Sequence, residues 1–277
     1  MKAKLALLDL YDGIPNQGMR AIKEILDEYD ATVTYDVFDV RAKHEIADLS
    51  YNIYISSGGP GNPLEGDGVW EVSWKKLIDD IWDHNQNETD PAKKKYVFFI
   101  CHSFQMACHH FELGDITPRK VSSFGIYPCH KTREGKEDRL LKDLDDPYWV
   151  VDMREWQLIQ PRRKVFRDHG AEIISLEKIR THIEYERAIM AVRFSDEIVG
   201  TQFHPEADPY GMKVHFAKEE NKQKVLTNYS IRKYHSMMNH LEDPERIKHT
   251  HNTVLPAFVN NALEKLEVLK PQLDSNG

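Results

Sequence analysis

The chain has 277 residues, 40% of them hydrophobic and 30% charged, with a mean hydropathy of -0.60 and a formal net charge of -8. That length suits one large α/β domain, or one domain with an appendage, and the acidic balance argues against a main task of gripping a phosphate backbone. No apolar run approaches the length of a bilayer span, and an odd set of thiols (Cys101, Cys108 and Cys129) without a signal-peptide pattern is expected of a protein in a reducing cytosol.

The first half alternates strand and helix. Residues 4–10 form a strand by apolar density. A helix follows in NQGMRAIKEILDEYD, where Met19, Ile22, Ile25, Leu26 and Tyr29 recur at helical spacing. ATVTYDVFDV is β-branched and aromatic, hence a second strand. YNIYISSGGPGNP is a third strand that ends in a Gly/Pro turn. Residues 69–83 put Val69, Trp70, Trp74, Leu77, Ile78, Ile81 and Trp82 on one helical face, as a core rather than a cofactor face. KKKYVFFI is a continuous apolar run, the pattern of a strand covered on both faces. The alternation predicts an open, mostly parallel sheet with helices on both faces.

Residues 121–129, 148–153, 171–176, 188–194 and 197–203 are further strands, and RFSDEIVG is a hairpin with Ser195-Asp196 at its turn. PRRKVFR (161–167), the densest basic stretch, is expected to be a solvated loop or edge. After Pro209 the character changes. Residues 212–241 and 254–270 are helical by pattern, with Pro256 in a first-turn position. The division expected is a domain over 1–210 and a helical C-terminal extension over 211–277, packed on it. The extension could cover the sheet edge, mediate self-association or dock a partner, although apolar positions such as Val225, Leu226, Ile231 and Met237 suit an intrachain core.

Three short stretches carry chemistry. In YVFFICHSFQMAC, Cys101 stands where a strand runs into a helix. A nucleophile on such an elbow is exposed above the sheet, the helix start favours an anionic sulfur, and the His102 N–H points where an oxyanion forms. Alone, a buried inert cysteine is the commoner reading. SSGGPGNP (56–63) follows another strand, so it lies on the same edge, and Gly58 and Gly59 let backbone N–H groups face an anion. Without the Gly-Lys-Ser/Thr ending of a P-loop it is no nucleotide cradle. In GTQFHPEADP, His204 follows a strand and Glu206 stands two residues on. A carboxylate on one ring nitrogen would hold the tautomer and leave the other for the thiol. "MREWQ" (153–157) is placed after a strand, without a role, and no His/Cys/Asp/Glu spacing suggests a metal site.

Together these stretches resemble the class I glutamine amidotransferase family of the Cys-His-Glu type, above all the glutaminase half of GMP synthetase and stand-alone relatives of it. The family carries a Gly-Gly-Pro loop, an elbow of the form Gly-x-Cys-x-Gly-His-Gln and a late Gln-Phe-His-Pro-Glu. They appear here as Gly58-Gly59-Pro60, as the elbow around Cys101 and as Gln202-Phe203-His204-Pro205-Glu206. The elbow has Phe99 and Ser103 in place of glycine and Phe104 in place of histidine, while Gln105 is kept. The resemblance implies that Cys101, His204 and Glu206 form a triad. It implies attack by Cys101 on the side-chain amide of glutamine, a γ-glutamyl thioester, and hydrolysis by water. Gly58, Gly59 and His102 would bind the oxyanion, Gln105 would help seat the substrate, and neither a cofactor nor a metal is needed.

The chain has no fingerprint for a nucleotide site, so either a synthetase or acceptor subunit is a separate chain, or the protein acts alone. Two rivals stay open. One is a hydrolase of another γ-glutamyl compound with the same triad. The other is a catalytically silent relative that serves as a binding or regulatory subunit, which Phe99 and Ser103 favour.

Overall fold

The computed structural model describes residues 2–179 and 187–268. It opens with β1 (Ala3–Asp9), α1 (Gln17–Asp27), β2 (Val33–Asp39), β3 (Ile53–Ser56), α2 (Trp70–Asn87), β4 (Tyr96–Ile100) and α3 (His102–His110). The local reasons are those of the pattern. Asn16 caps α1 by accepting the Met19 N–H at 2.8 Å, and Met19, Ile22, Ile25 and Leu26 form its buried face. Every residue of β3 and β4 is buried. Alternate residues of a strand serve opposite cores: Leu5, Leu7, Ile53 and Phe98 meet α1, while Ala6, Leu8, Tyr54 and Phe99 meet α2 and α3.

The second half contains β5 (Asp115–Lys131), α4 (Arg133–Glu137), β6 (Tyr148–Ile159), α5 (Arg163–His169), β7 (Glu172–Glu177), β8 (Ile189–Arg193) and β9 (Ile198–Thr201). Among the described residues, nine strands form one sheet in the order β2-β1-β3-β4-β9-β8-β7-β5-β6. Pairing is parallel from β2 through β9, and antiparallel beyond. This is the expected open α/β sheet with helices on both faces. The β8–β9 hairpin turns at Ser195-Asp196, with Phe194 and Ser195 both donating to the Ile198 carbonyl. After the turn β9 pairs with β4, placing Ile100 opposite Thr201. That pairing brings the carboxyl ends of two distant strands together, which is where ligand sites form in such sheets.

The remaining chain forms α6 (Pro209–Ala217), α7 (Glu219–Asn228), α8 (Ile231–Glu242) and α9 (His249–Lys265). The stretch 212–241 is thus three helices rather than one run: Lys218 leaves the helical region (ψ 132), and Ser230 caps α8 through Lys233 N–H. Met212, Phe216, Val225, Met237 and Leu241 pack on Phe124, Ile126 and Val151 of β5 and β6. Val254, Phe258 and Val259 of α9 instead join the α1 side of the parallel strands.

Several expectations need correction. Val69 precedes α2 and Ile231 opens α8, and both are exposed rather than in a core. Pro256 lies well inside α9, not in its first turn, because the helix starts at His249; the missing N–H leaves one carbonyl of that ladder without its donor. Residues 163–169 are helical where a loop or edge was expected, since Phe166 is buried and Gly170 ends the turn in the left-handed region (φ 69). MREWQ lies within β6, not after a strand. The last two residues of the predicted 254–270 helix, and the end of the 211–277 extension, lie outside the described residues. No helix among the described residues is long and apolar enough to cross a membrane.

Candidate active site

Cys101 follows β4 with φ 49 and ψ -96, a strained position for a residue that carries a Cβ. Its N–H donates to the Thr201 carbonyl at 2.8 Å and its carbonyl accepts from Gln105 N–H at 3.0 Å, so β9 and the first turn of α3 both hold it. Ser103 ties the same turn. Its hydroxyl accepts the Ile100 N–H at 2.9 Å and donates to the Ser56 carbonyl at 2.7 Å, joining the elbow to the end of β3. Phe99 turns its ring away from the elbow and packs on Trp74 and Phe194, each with centroids 5.6 Å apart. Gly200, opposite Phe99 on β9, makes the room: a Cβ there would stand 2.9 Å from Phe99 Cβ and 2.9 Å from Phe104 Cδ2.

The Gly-Gly-Pro loop lies against the residues after β1. Ser57 Oγ accepts the Leu10 N–H at 2.9 Å and donates to the Gly58 carbonyl at 2.8 Å. Arg41 Nη1 donates to the carbonyls of Pro60 (2.7 Å) and Leu10 (3.2 Å). A Cβ on Gly59 would meet the Leu10 carbonyl oxygen at 2.5 Å, so no larger residue fits this approach.

Gly58 measures how close the reactive groups come. A Cβ on it would stand 3.0 Å from His204 Cε1, 3.6 Å from Cys101 Cβ and 2.9 Å from the Tyr11 hydroxyl. The thiol and the imidazole therefore flank one glycine. His204 is aimed by its own backbone, whose N–H donates to Val151 O at 3.0 Å, and by Glu206, whose Oε1 lies 2.8 Å from His204 Nδ1. Both side chains are buried. Burial alone would push the His204 imidazole down, but Glu206 and the Cys101 sulfur outweigh it and hold its pKa well above the usual value. Burial, then Glu206 and Cys101, raise the Tyr11 phenol.

The other predicted residues lie on the same edge. His102 is buried and its Nε2 has no hydrogen-bond partner; burial and then Arg41 push its pKa down to about 3, so it is neutral. Gln105 reaches the sulfur through a neighbour. Its Nε2 donates to Gln202 Oε1 at 3.0 Å and to the Trp156 carbonyl at 3.1 Å, and Gln202 Nε2 lies 3.7 Å from Cys101 Sγ.

Two cavities adjoin the pair. One of about 330 Å³ is lined by Gly59, Cys101, His102, Gln105, Arg154 and Lys224. The other, of about 490 Å³, is lined by Tyr11, His204, Glu206, Met212, Glu220 and Asn221 among others. Met153 borders both. Sequence reasoning missed Tyr11 and Lys224, and gave no role to Met153 and Arg154. Tyr11 had a signal, since it follows the carboxyl end of β1. Met153 and Arg154 fall in MREWQ, the stretch singled out in the sequence without a role; Lys224, on a helix of the tail, had no signal. Among the described residues, no group of three or more His, Cys, Asp or Glu side chains could hold a metal ion.

Comparison with known proteins bears on these features. Residues 6–224 match the sequence model of the family described as Glutamine amidotransferase class-I. No curated protein matches the sequence. The chain is similar in structure to a glutamine amidotransferase from Thermotoga maritima, at 17% identity and a TM-score of 0.69, over 95% of this chain and 99% of that one. It is also similar to a putative GMP synthase subunit from Thermoplasma acidophilum (18% identity, TM-score 0.53, 83% of this chain and 96% of that one). A third similar structure is the glutaminase domain of CTPS from Trypanosoma brucei with bound acivicin (11% identity, TM-score 0.55, 74% and 86%).

Proposed function

Because the chain belongs to the class I glutamine amidotransferase family, we propose that it hydrolyses the side-chain amide of glutamine, or of a related γ-glutamyl compound, through a thioester on Cys101. The observation that carries this reading is the meeting of Cys101 and His204 across Gly58, with Glu206 on the far nitrogen of the imidazole. In this mechanism His204 takes the thiol proton, Cys101 Sγ attacks the amide carbonyl, and His204 returns the proton to the departing nitrogen. Water then attacks the thioester, with His204 as base. Glu206 holds Nδ1 protonated, so the nitrogen facing the sulfur is free to exchange the proton.

The N–H groups of Gly59 and His102 are assigned to the oxyanion, where a single donor is worth about 3 kcal/mol of barrier. The tightness of Gly59 against Leu10 and the helical start at His102 support that assignment. Gln105 acts on the sulfur's surroundings through Gln202. Ser103 and Gly200 supply what the glycines of the family pattern would, a closed turn and space beside it; this favours an active elbow over a silent one. The three free, buried cysteines suit a cytoplasmic protein. Two of the similar structures are named as a CTPS glutaminase domain and a GMP synthase subunit. By analogy with the subunit alone, an ammonia acceptor would be a separate chain.

The test is treatment with a glutamine-analogue electrophile, read by mass spectrometry, together with glutamate release from glutamine. One label per chain at Cys101, lost in Cys101→Ala, is the expected result. An unmodified Cys101 at saturating reagent, with no glutamate formed, would leave only the binding-module reading.

A further inference from the structure

We infer that the Tyr11 hydroxyl holds the water that cleaves the thioester, so that this side chain serves the second step of the reaction and is dispensable in the first. The inference rests on the amide-hydrolase reading above, and it adds a catalytic residue to that site.

Tyr11 stands just past β1, in backbone that is tied on both sides. Its N–H donates to Asp9 Oδ1 at 2.8 Å, and its carbonyl accepts the Ile14 N–H at 3.1 Å. Its ring packs on the α1-side core that includes Cys101 and Phe203. The hydroxyl lies between two glycines. A Cβ on Gly58 would stand 2.9 Å from it and 3.0 Å from His204 Cε1, and a Cβ on Gly18 would stand 2.9 Å from it and 3.1 Å from Glu206 Oε1. Hydroxyl and imidazole thus face each other across one methyl-sized space. The carbon on the His204 side is the one that joins its two ring nitrogens.

Three features make this hydroxyl a ligand for water rather than a part of the frame. A buried tyrosine hydroxyl ordinarily has a hydrogen-bond partner, and no protein group among the described residues bonds this one. It borders the larger cavity, in common with His204. Burial, then Glu206 and Cys101, keep it protonated, so it can both donate a hydrogen bond and accept one.

The two steps make different demands on that space. In acylation the atom that takes the proton from His204 is the amide nitrogen, and its covalent bond to the acyl carbon places it. In deacylation the same position beside His204 passes to water. Water has no covalent bond to place it and depends on about two to four hydrogen-bond partners. His204 accepts one of its protons, and Tyr11 supplies a second partner from the cavity side. The water oxygen then bonds the γ-carbonyl carbon, the carbon–sulfur bond breaks, and the proton taken by His204 returns to the sulfur as glutamate leaves. Tyr11 neither gains nor loses a proton.

The experiment compares the parent with Tyr11→Phe on glutamine in the presence of hydroxylamine. Hydroxylamine competes with water for the thioester and gives γ-glutamyl hydroxamate; as the stronger nucleophile it depends less on being placed. The kcat/KM for total product reports only the steps through acylation, and it is expected to stay within about twofold of the parent. The ratio of hydroxamate to glutamate, at one hydroxylamine concentration, is expected to rise about three- to tenfold, as for the loss of one hydrogen bond. A role in the frame alone would lower both products alike and leave the ratio unmoved. The ratio is read within one protein, so a loss of folded material does not change it. An unchanged or lower ratio overturns the inference; so does a loss of kcat/KM as large as the rise in the ratio, which would put the hydroxyl on the departing nitrogen as much as on water. If a glutamine-analogue electrophile labels Cys101 and the ratio does not move, only the role of Tyr11 falls. If Cys101 stays unlabelled in the parent and neither product forms, the amide-hydrolase reading falls with it.

Discussion

Ser103→Ala tests whether the elbow is closed by a hydroxyl where the family pattern has glycine. Ser103 is fully buried, and its oxygen bonds Ile100 N–H at 2.9 Å and the Ser56 carbonyl at 2.7 Å. Alanine removes both bonds and leaves those two backbone groups to find other partners inside the core. At about 1–3 kcal/mol for each buried group left unsatisfied, and with partial relaxation, the net cost is about 2–3 kcal/mol. For a chain of this size that lowers Tm by about 4–10 °C. Urea unfolding should show a lower midpoint at unchanged slope, since the surface exposed on unfolding is the same. Ser103→Gly, which restores the family residue, should be less stable still by about 1 kcal/mol, because glycine adds a backbone-entropy cost within α3. Both variants should also slow labelling at Cys101, since its strained backbone (φ 49) persists only while its surroundings hold it. A midpoint shift worth less than about 0.5 kcal/mol in Ser103→Ala refutes the claim that this hydroxyl closes the turn.

Gly200→Ala places a methyl group 2.9 Å from both Phe99 Cβ and Phe104 Cδ2, so it should destabilise by about 1–3 kcal/mol in the same urea assay. Gly58→Ala puts a Cβ 3.0 Å from His204 Cε1 and 2.9 Å from the Tyr11 hydroxyl; kcat should fall about tenfold or more, alongside a stability loss of about 1–3 kcal/mol in the urea assay. His102 has its pKa lowered from 6.5 to about 3, so between those values the unfolded chain binds a proton that the folded chain does not. Stability should therefore rise with pH across that window, and His102→Gln should flatten the rise by up to about 5 kcal/mol in a series of melts. His204 is shifted the other way: burial opposes the shift, but Glu206 and the sulfur raise its pKa above 6.5. The stability it contributes is complete below pH 6.5 and is lost as pH rises through the folded value. The Tm difference between the parent and Glu206→Gln should accordingly shrink from about pH 6.5 upward.

Local pattern was enough for the order of elements, because period and turn chemistry act over a few residues. The continuous runs at Ile53–Ser56 and Tyr96–Ile100 announced strands covered on both faces, and the spacing of Met19, Ile22, Ile25 and Leu26 announced α1. The motif residues could also be placed at strand ends by sequence alone. What it could not contain was the pairing of β9 with β4, which sets His204 beside Cys101. No local signal specifies that neighbour; it follows from which strands bury the most apolar surface together. The same holds for Gly200, whose missing side chain makes room for two phenylalanines about a hundred residues earlier on strand β4 and helix α3. It holds too for the cavity walls. Tyr11, Met153, Glu220 and Lys224 come from separate elements and loops, and only packing decides that they share a site.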